Sequence, residues 1–338
     1  MCRKDNNIII IAEAGVNHNA SMERAREMVR CAARAGADYV KFQTAVPELV
    51  ISSIAPKAEY QKETTGTEES QLDMCRAIHL PLSAYAELAA LCREEGIGFM
   101  STPFDLVSID TLVPLGMDYW KIPSGEITNL PYLRKIARRG ERIILSTGMS
   151  TLAEVESALE VIEANGTPRS DVWLLHCTTQ YPTPMEDVNL RAMDALRTLG
   201  TAGVGYSDHT LGIEVPVAAA ALGATVIEKH FTLDKSLPGP DHRASLDPAE
   251  LEAMVKAVRN IEKALGTGLK EVRETERGNI TVARKSIVAA RDITAGEIFD
   301  ESNITVKRPG GGISPMEWDN VIGRTATRDF AYDTLIEL

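Results

Sequence analysis

Short apolar segments alternate with amphipathic segments over about the first 265 residues, and this alternation restricts the fold to the α/β class. The apolar, β-type segments are Ile8–Ala12, Tyr39–Gln43, Gly98–Ser101, Tyr119–Ile122, Arg142–Ser146, Val172–His176, Ala202–Tyr206 and Thr225–His230. The clearest segments of helical period are Met22–Arg34, Ala84–Glu95, Leu152–Glu163 and Pro248–Leu265. Successive βα units in this number predict a (β/α)8 (TIM) barrel. A doubly wound open sheet is the alternative, and it is less favoured because no Gly-x-Gly-x-x-Gly motif follows the first strand.

Two regions depart from a minimal barrel. The segment Ala45–Leu80 is a long insertion after the second predicted strand, at a position where barrels carry substrate loops. After the last predicted barrel helix, Gly266–Gly278 is charged and interrupted by glycines, which predicts a linker. The predicted boundaries are therefore a catalytic barrel over 1–265, a linker over 266–281 and a separate domain over 282–338.

The predicted C-terminal domain is small and β-rich. It contains short β-type runs at Ser286–Ala290, Ile304–Val306 and Thr334–Ile336 and lacks a long amphipathic segment. A domain of about 55 residues has a small core and is marginally stable alone. We therefore expect it to dock on a barrel, either its own or that of a partner subunit.

Composition excludes several classes of partner. The net charge of −12 argues against nucleic acid and against an anionic membrane surface. The five cysteines are scattered, with no Cys-x-x-Cys pair, which predicts reduced thiols and a cytoplasmic location. The first apolar run is too short for a membrane span and is interpreted as a strand.

The ends of the predicted strands are unusually polar. They carry Glu13, Lys41, Gln43, Thr102, Lys121, Ser124, Ser146, Thr147, His176, Thr178, Ser207, His209, Glu228 and His230. In a barrel, the carboxyl ends of the strands meet at one face and form the active site. A phosphate or carboxylate site is predicted at Lys41, Lys121, Ser124 and Ser146, because two cations and two hydroxyl donors can bind an anion. The alternative is that Lys41 forms a structural ion pair with Glu13.

His209 and His230 each follow an apolar β-type run, and the spacing between them suits two successive βα units. Both imidazoles could then face one metal ion from neighbouring strands. The alternative is that they are unrelated polar residues at two strand ends. Glu13, which ends the first strand, could act as a base or hold a metal-bound water, or could form a structural salt bridge.

Motifs along nearly the whole chain resemble those of the sialic acid synthase family. They are Ala12-Glu13-Ala14-Gly15-Val16-Asn17-His18, Lys41-Phe42-Gln43-Thr44, Ser101-Thr102-Pro103-Phe104, Lys121-Ile122-Pro123-Ser124-Gly125-Glu126, Leu145-Ser146-Thr147-Gly148-Met149, His176-Cys177-Thr178, Tyr181-Pro182-Thr183-Pro184, Pro238-Gly239-Pro240-Asp241 and both histidine runs. The C-terminal segment with Lys307-Arg308-Pro309-Gly310 resembles that family's antifreeze-like (SAF) domain.

The resemblance implies an enzyme, a metal-dependent transferase that condenses phosphoenolpyruvate with an N-acetylmannosamine-type sugar. The product would be a nine-carbon 2-keto sugar acid, N-acetylneuraminate or N,N'-diacetyllegionaminate, with release of phosphate. The metal in this family is usually Mn²⁺, with Mg²⁺ or Co²⁺ as alternatives. The resemblance also implies a domain-swapped homodimer, in which an arginine of one subunit reaches the active site of the other.

Carried over by motif, the resemblance implies a role for each site residue. His209 and His230 are the predicted metal ligands, and Glu13, Glu228 and Asp241 are the predicted catalytic carboxylates. The predicted phosphoenolpyruvate-binding residues are Lys41, Thr102, Lys121, Ser124, Ser146, Thr179 and Ser207. The predicted sugar-binding residues are Gln43, Tyr181, Asp241 and Arg308. At Thr179 the chain departs from the family, which often has asparagine there.

The loop Tyr60–Met74 and the run Ile313–Trp318 look more like those of the bacterial legionaminic acid synthases, which take a 2,4-diacetamido-6-deoxy sugar. A pseudaminic acid synthase is an alternative. A second alternative is a non-catalytic protein whose C-terminal domain binds carbohydrate or ice.

Overall fold

The computed structural model describes residues 8–66 and 70–338 and divides the chain into two compact units. The first unit is Met1–Gly266 and the second is Thr267–Leu338. The second half of the predicted linker is helical, and this helix, Glu274–Ala283, runs two residues past the predicted boundary at 281. Glu274 and Glu276 in its first turn are favourable there, because carboxylates interact well with the amino-terminal end of a helix. Among the described residues, every helix is too short or too polar to span a lipid bilayer.

The first unit is built on eight parallel strands that form one sheet. They are β1 (Ile9–Gly15), β2 (Tyr39–Thr44), β3 (Gly98–Pro103), β4 (Trp120–Ile122), β5 (Ile143–Ser146), β6 (Val172–His176), β7 (Gly203–Asp208) and β8 (Val226–His230). Their order is β3-β2-β1-β8-β7-β6-β5-β4, so the first strand pairs with the last. The two strands at the ends of this order, β3 and β4, lie within 8 Å of each other between Cα atoms, which closes a barrel. The predicted (β/α)8 fold is confirmed, and the open-sheet alternative is wrong.

Helices surround the barrel and interrupt its loops. They are α1 (Met22–Ala35), α2 (Pro47–Val50), α3 (Glu59–Thr65), α4 (Gln71–Ile78), α5 (Ala84–Glu95), α6 (Leu106–Leu112), α7 (Leu130–Ala137), α8 (Leu152–Ala164), α9 (Ala192–Arg197), α10 (Glu214–Ala221) and α11 (Pro248–Leu265). Local sequence determines several helix starts. Thr151 with Glu154 and Asp247 with Glu250 form capping boxes, and Pro248 occupies a first-turn position that needs no N–H donor.

The insertion after β2 folds into α2, α3 and α4, and its residues 67–69 lie outside the described part of the chain. The strands are buried on both faces, as is typical of parallel sheets covered by helices. Alternate residues pack against the helices, as Ile10 and Val40 do, or fill the lumen. The lumen core consists of Ile9, Ile11, Tyr39, Met100, Tyr119, Ile144, Leu175 and Val226.

The second unit contains helices α12 (Glu274–Ala283) and α13 (Trp318–Val321) and an antiparallel pair of strands, β9 (Ser286–Ala289) and β10 (Ile304–Lys307). The prediction of a third strand at Thr334–Ile336 is wrong. Leu335 forms only an isolated bridge with Val288, because the turn at Ala331–Thr334 brings in a single residue pair rather than a run. A separate small core, including Ile287, Phe299 and Phe330, stabilises this unit.

Candidate active site

The strand period of two brings the predicted polar residues into the upper half of the lumen. In β2, Tyr39 belongs to the apolar lumen core, and Lys41 and Gln43 follow on the same face. In β8, Val226 belongs to that core, and Glu228 and His230 follow it. The change from apolar to polar along each strand therefore separates a core that stabilises the barrel from a site at its carboxyl-terminal mouth.

A cavity of about 340 Å³ opens at this mouth. It is lined by the predicted residues Glu13, Lys41, Gln43, Thr102, Lys121, Ser124, Ser146, Thr179, Tyr181, Ser207, His209, Glu228 and His230. Asp241 is buried but does not line the cavity, and one of its carboxylate oxygens lies 3.9 Å from Nδ1 of His230. Arg308 is exposed in the second unit, at the residue after β10. The roles assigned to these residues remain predictions.

Two buried lysines and two buried carboxylates form the base of the cavity. The Lys41 ammonium lies 2.7 Å from Oε2 of Glu13 and 3.6 Å from Oε2 of Glu228. The Lys121 ammonium lies 3.6 Å from the other oxygen of Glu228. The ion pair between Lys41 and Glu13, which the sequence left as an alternative to an anion site, is therefore present. It coexists with a second cation, Lys121, so the ion pair does not exclude the anion site, which stays a prediction.

The surroundings of the two carboxyl groups give them different pKa values. Burial raises the pKa of Glu13 to about 7, because the carboxyl is fully enclosed and shares Lys41 with Glu228. Burial opposes ionisation of Glu228 as well, but Lys121 and Lys41 outweigh it and lower its pKa to about 2. Near neutral pH, Glu228 is therefore ionised and Glu13 can gain or lose a proton.

Hydroxyl groups surround the lysines. Lys41 donates to Oγ1 of Thr102 at 3.0 Å, and Lys121 donates to Oγ of Ser146 at 2.7 Å. Ser207 donates to Glu228 at 3.0 Å. Ser124 accepts from the backbone N–H of Gly148 at 2.9 Å. These cations and hydroxyls converge on one small volume and can bind a compact anion with several charged oxygens.

The two histidines face each other at the cavity wall, with ring centroids 5.5 Å apart. Nδ1 of His209 lies 2.5 Å from the carbonyl oxygen of Thr178, so it donates and leaves Nε2 as the lone-pair nitrogen. The Tyr181 ring packs against His209 with ring centroids 4.0 Å apart and an angle of 31° between the ring planes. Burial lowers the pKa of His209 to about 4 and that of His230 well below its usual value, so both rings are neutral near pH 7.

This donor set fits a divalent metal ion. Nδ1 of His230 and Oε2 of Glu228 are buried without hydrogen-bond partners among residues 8–66 and 70–338, so the described residues leave both acceptors unsatisfied. Within the described residues, no group of three or more His, Cys, Asp or Glu side chains is arranged to hold a metal. A metal held by His209 and His230 would therefore complete its coordination with water or substrate oxygens.

Gly15 keeps the cavity mouth open where β1 ends. The register of β1 with β2 shifts between Glu13 and Gly15, and Gly15 has a φ of 53°. A Cβ there would lie 3.3 Å from a Glu13 oxygen and 3.4 Å from the Gln43 amide and the His230 ring. Only glycine combines this backbone conformation with close contact to three site residues.

The structure adds cavity-lining residues that sequence reasoning did not assign to the site. They are Ala58, Gln61, Gln71, Phe104, Pro123, Gly125, Met149 and Cys177. The first three come from the insertion after β2, which was predicted to hold a substrate loop. Its length pointed to this role, but no motif identified which of its side chains would face the cavity.

Metal binding is expected to change little between about pH 7 and pH 5 on account of the histidines. His209 has a pKa of about 4 and the pKa of His230 lies well below its usual value, so both imidazoles are already neutral over this range. Calorimetric titration with Mn²⁺ would test this, with the Glu13→Gln variant used to remove the titration of that carboxyl. At the ordinary histidine pKa, each ligand would weaken binding about 25-fold over the same range. A loss of that size would contradict the prediction.

Together, the closed barrel and the polar cavity at the carboxyl ends of its strands define the chain as a (β/α)8-barrel protein with the type of site found in barrel enzymes. The NeuB family model matches residues 28–270, and the SAF domain model matches residues 284–337. The chain belongs to the NeuB family and carries a C-terminal SAF domain.

Individual relatives agree with this assignment. The chain is 52% identical to the N,N'-diacetyllegionaminic acid synthase of Campylobacter jejuni over 97% of its own length and 98% of the relative. It is 45% identical to the enzyme of the same name from Legionella pneumophila, over 97% and 92%. Among solved structures, the sialic acid synthetase of Leptospira borgpetersenii superposes with a TM-score of 0.70 at 32% identity, covering 83% of this chain and 94% of that one.

Proposed function

We propose that the protein is a nonulosonic acid synthase that condenses phosphoenolpyruvate with an N-acetylated mannosamine-type sugar and releases phosphate. The observation that carries the proposal is the convergence of Lys41, Lys121 and several hydroxyls beside two neutral histidines in one cavity. The lysine and hydroxyl groups suit the carboxylate and phosphate of phosphoenolpyruvate. The names of its relatives support the same reaction.

The residues of the cavity account for each charge in this reaction. Lys41 and Lys121 would hold the anionic groups of phosphoenolpyruvate, which orients its C2=C3 double bond. The electron pair of the C2=C3 double bond forms a bond between C3 and the aldehyde carbon of the sugar, and positive charge develops at C2. The electron pair of the aldehyde C=O double bond moves to its oxygen, which takes up a proton from water. Glu228, held ionised by both lysines, would stabilise that charge.

A water molecule then adds to C2, and the C2–O bond to phosphate breaks. Glu13 has a pKa of about 7 and is therefore suited to accept the proton of that water. A divalent ion, most favourably Mn²⁺ with Mg²⁺ or Co²⁺ as alternatives, would supply Lewis acidity toward the aldehyde oxygen when bound by His209 and His230. Gln43, which donates to Glu13 at 3.1 Å, orients that carboxylate and lies where the sugar would enter.

For the sugar we propose the 2,4-diacetamido-6-deoxy mannose type, which gives N,N'-diacetyllegionaminate. The full-length similarity to enzymes of that name supports this choice over N-acetylmannosamine, and pseudaminic acid synthases are more distant relatives. The reaction is tested by phosphate release with phosphoenolpyruvate and each sugar in turn, with Mn²⁺ present. The absence of phosphate release with every sugar would exclude the synthase and favour a non-catalytic binding protein. Phosphate release that does not depend on a sugar would exclude the condensation.

The second acetamido group of the proposed sugar leads to a prediction about the insertion that follows β2. Gln71, the first residue of α4, lines the cavity, and its side-chain amide has no hydrogen-bond partner in the described part of the chain. An amide can both donate to and accept from an acetamido group. Gln71→Ala should raise the KM of the diacetamido sugar about 10-fold and leave that of N-acetylmannosamine nearly unchanged. Gln180→Ala, at an exposed glutamine outside the cavity lining, is the matched control. Equal changes with both sugars would contradict this assignment.

We further propose a cytoplasmic homodimer in which the C-terminal domain of one subunit completes the active site of the other. The motif Lys307–Gly310 resembles that of the SAF domain of sialic acid synthases, and this resemblance supports the arrangement. The small separate core of the second unit supports it as well. Arg308 is exposed and its guanidinium can bind acyl or hydroxyl oxygens of a sugar.

A further inference from the structure

A second pair of charged residues lies next to the two histidines, but on the opposite face of the sheet. Asp208 precedes His209 and Lys229 precedes His230. Because successive residues of a strand point to opposite faces, the histidines face the lumen and the charged pair faces the surrounding helices. Both charged side chains have zero solvent exposure and form a salt bridge with each other.

The pair joins the ends of β7 and β8 directly. Asp208 and Lys229 are register partners in the parallel pairing of these two strands. The Lys229 ammonium also donates to the carbonyl oxygen of Thr210 at 2.5 Å. The Asp208 carboxylate accepts from the backbone N–H and the hydroxyl of Thr210, at 3.1 and 3.0 Å. The backbone on both sides of His209 is thus connected to the residue that precedes His230.

Stability alone does not explain this arrangement. Removing two charges from water costs free energy that their attraction offsets only in part, and apolar residues of similar size are often equally or more stabilising. What the pair provides is a fixed geometry, since short charge-assisted hydrogen bonds tolerate little variation in distance or angle. The geometry that the pair fixes is the relative position of His209 and His230, which directly follow Asp208 and Lys229 in the chain.

We propose that Asp208 and Lys229 are a positioning pair that holds the imidazoles of His209 and His230 at the separation required to share one metal ion. The inference rests on the proposed function, in which those histidines bind a divalent ion. Neither side chain touches the cavity, so the pair would act only through the backbone of β7 and β8.

The test replaces both charges at once, with Asp208→Leu and Lys229→Met in the same chain, so that the net charge stays the same. We expect the thermal midpoint of the metal-free protein to stay within about 5 °C of the unmodified protein. The Kd for phosphoenolpyruvate should be unchanged, because the lysines and hydroxyls that would bind it lie on other strands or on the lumen face. The Kd for Mn²⁺, measured by calorimetry without substrate, should rise about 10- to 100-fold.

The matched control is the ion pair between Asp38 and Arg259, whose atoms lie 2.7 Å apart at the amino-terminal end of the barrel. Replacing it with Asp38→Leu and Arg259→Met should leave the Kd for Mn²⁺ unchanged, even where stability falls. Unchanged Mn²⁺ affinity in the Asp208/Lys229 double variant, or an equal loss in the control, would overturn the positioning role while leaving the proposed reaction intact. Failure of the unmodified protein to bind Mn²⁺ would overturn the metal site and this inference together.

A single variant keeps the test decisive if the double variant does not fold. Asp208→Asn retains the shape of the side chain and an acceptor oxygen for Thr210 but removes the charge-assisted bond to Lys229. We expect weaker Mn²⁺ binding with unchanged affinity for phosphoenolpyruvate. A purely long-range charge effect would instead strengthen binding of the anion while it weakens binding of the cation, and this outcome would overturn the positioning role.

Discussion

Replacing His209 or His230 by alanine is expected to lower turnover at least about 1000-fold, because a bound ion contributes several kcal/mol to such a reaction and each tenfold in rate corresponds to about 1.4 kcal/mol. A site with only two protein ligands loses most of its affinity when one is removed. Metal content after equilibration with Mn²⁺ and phosphate release should be measured on each variant. Both should fall together, while the circular dichroism spectrum stays that of the unmodified protein.

His176→Ala is the matched control for these variants. His176 also ends a barrel strand, but its Nε2 lies 2.8 Å from the carbonyl oxygen of Val188 and the ring does not line the cavity. Its loss should leave metal content unchanged. Normal metal content and normal activity in either His209→Ala or His230→Ala would exclude the proposed metal site.

Mixing two impaired variants should partly restore activity at low sugar concentration if the C-terminal domain acts across subunits. Arg308→Ala alone should raise the KM of the sugar about 10- to 100-fold, which corresponds to the loss of a hydrogen bond to a charged group, and should leave the affinity for phosphoenolpyruvate nearly unchanged. His209→Ala and Arg308→Ala are then mixed under conditions that permit subunit exchange. In a mixed dimer, one active site would combine an intact barrel with an intact arginine.

The same experiment distinguishes the two possible arrangements. If Arg308 acts on its own barrel, a mixture of the two variants shows no more activity at low sugar concentration than the Arg308→Ala protein it contains. Sedimentation or light scattering should show a dimer for both variants, since Arg308 is an exposed residue and not part of the second unit's core. A monomer at the assay concentration would contradict the proposal without any kinetic measurement.

Local patterns in the sequence were sufficient to predict the barrel. Parallel strands covered by helices are apolar on both faces, so β2 and β8 could be recognised as short runs without any knowledge of their partners. Helix α11 could be placed from its first residue, because Pro248 and the capping box of Asp247 with Glu250 are local signals. The third predicted strand, Thr334–Ile336, failed because a strand exists only where a neighbour pairs with it over several residues, and pairing is not a local property.

The sequence by itself determined which polar residues end the strands, since the period of two places Lys41 and Glu228 on the lumen face once their strands are known. Only the tertiary structure decided how those residues are partnered. Lys41 lies between Glu13 and Glu228 because β1 pairs with β8 in the closed barrel. This arrangement contributes to the different pKa values of the two carboxyl groups. The distances between residues of strands that are far apart in the chain depend on how the whole sheet packs. The residue types and the period of two, in contrast, can be recognised in the sequence of each strand alone.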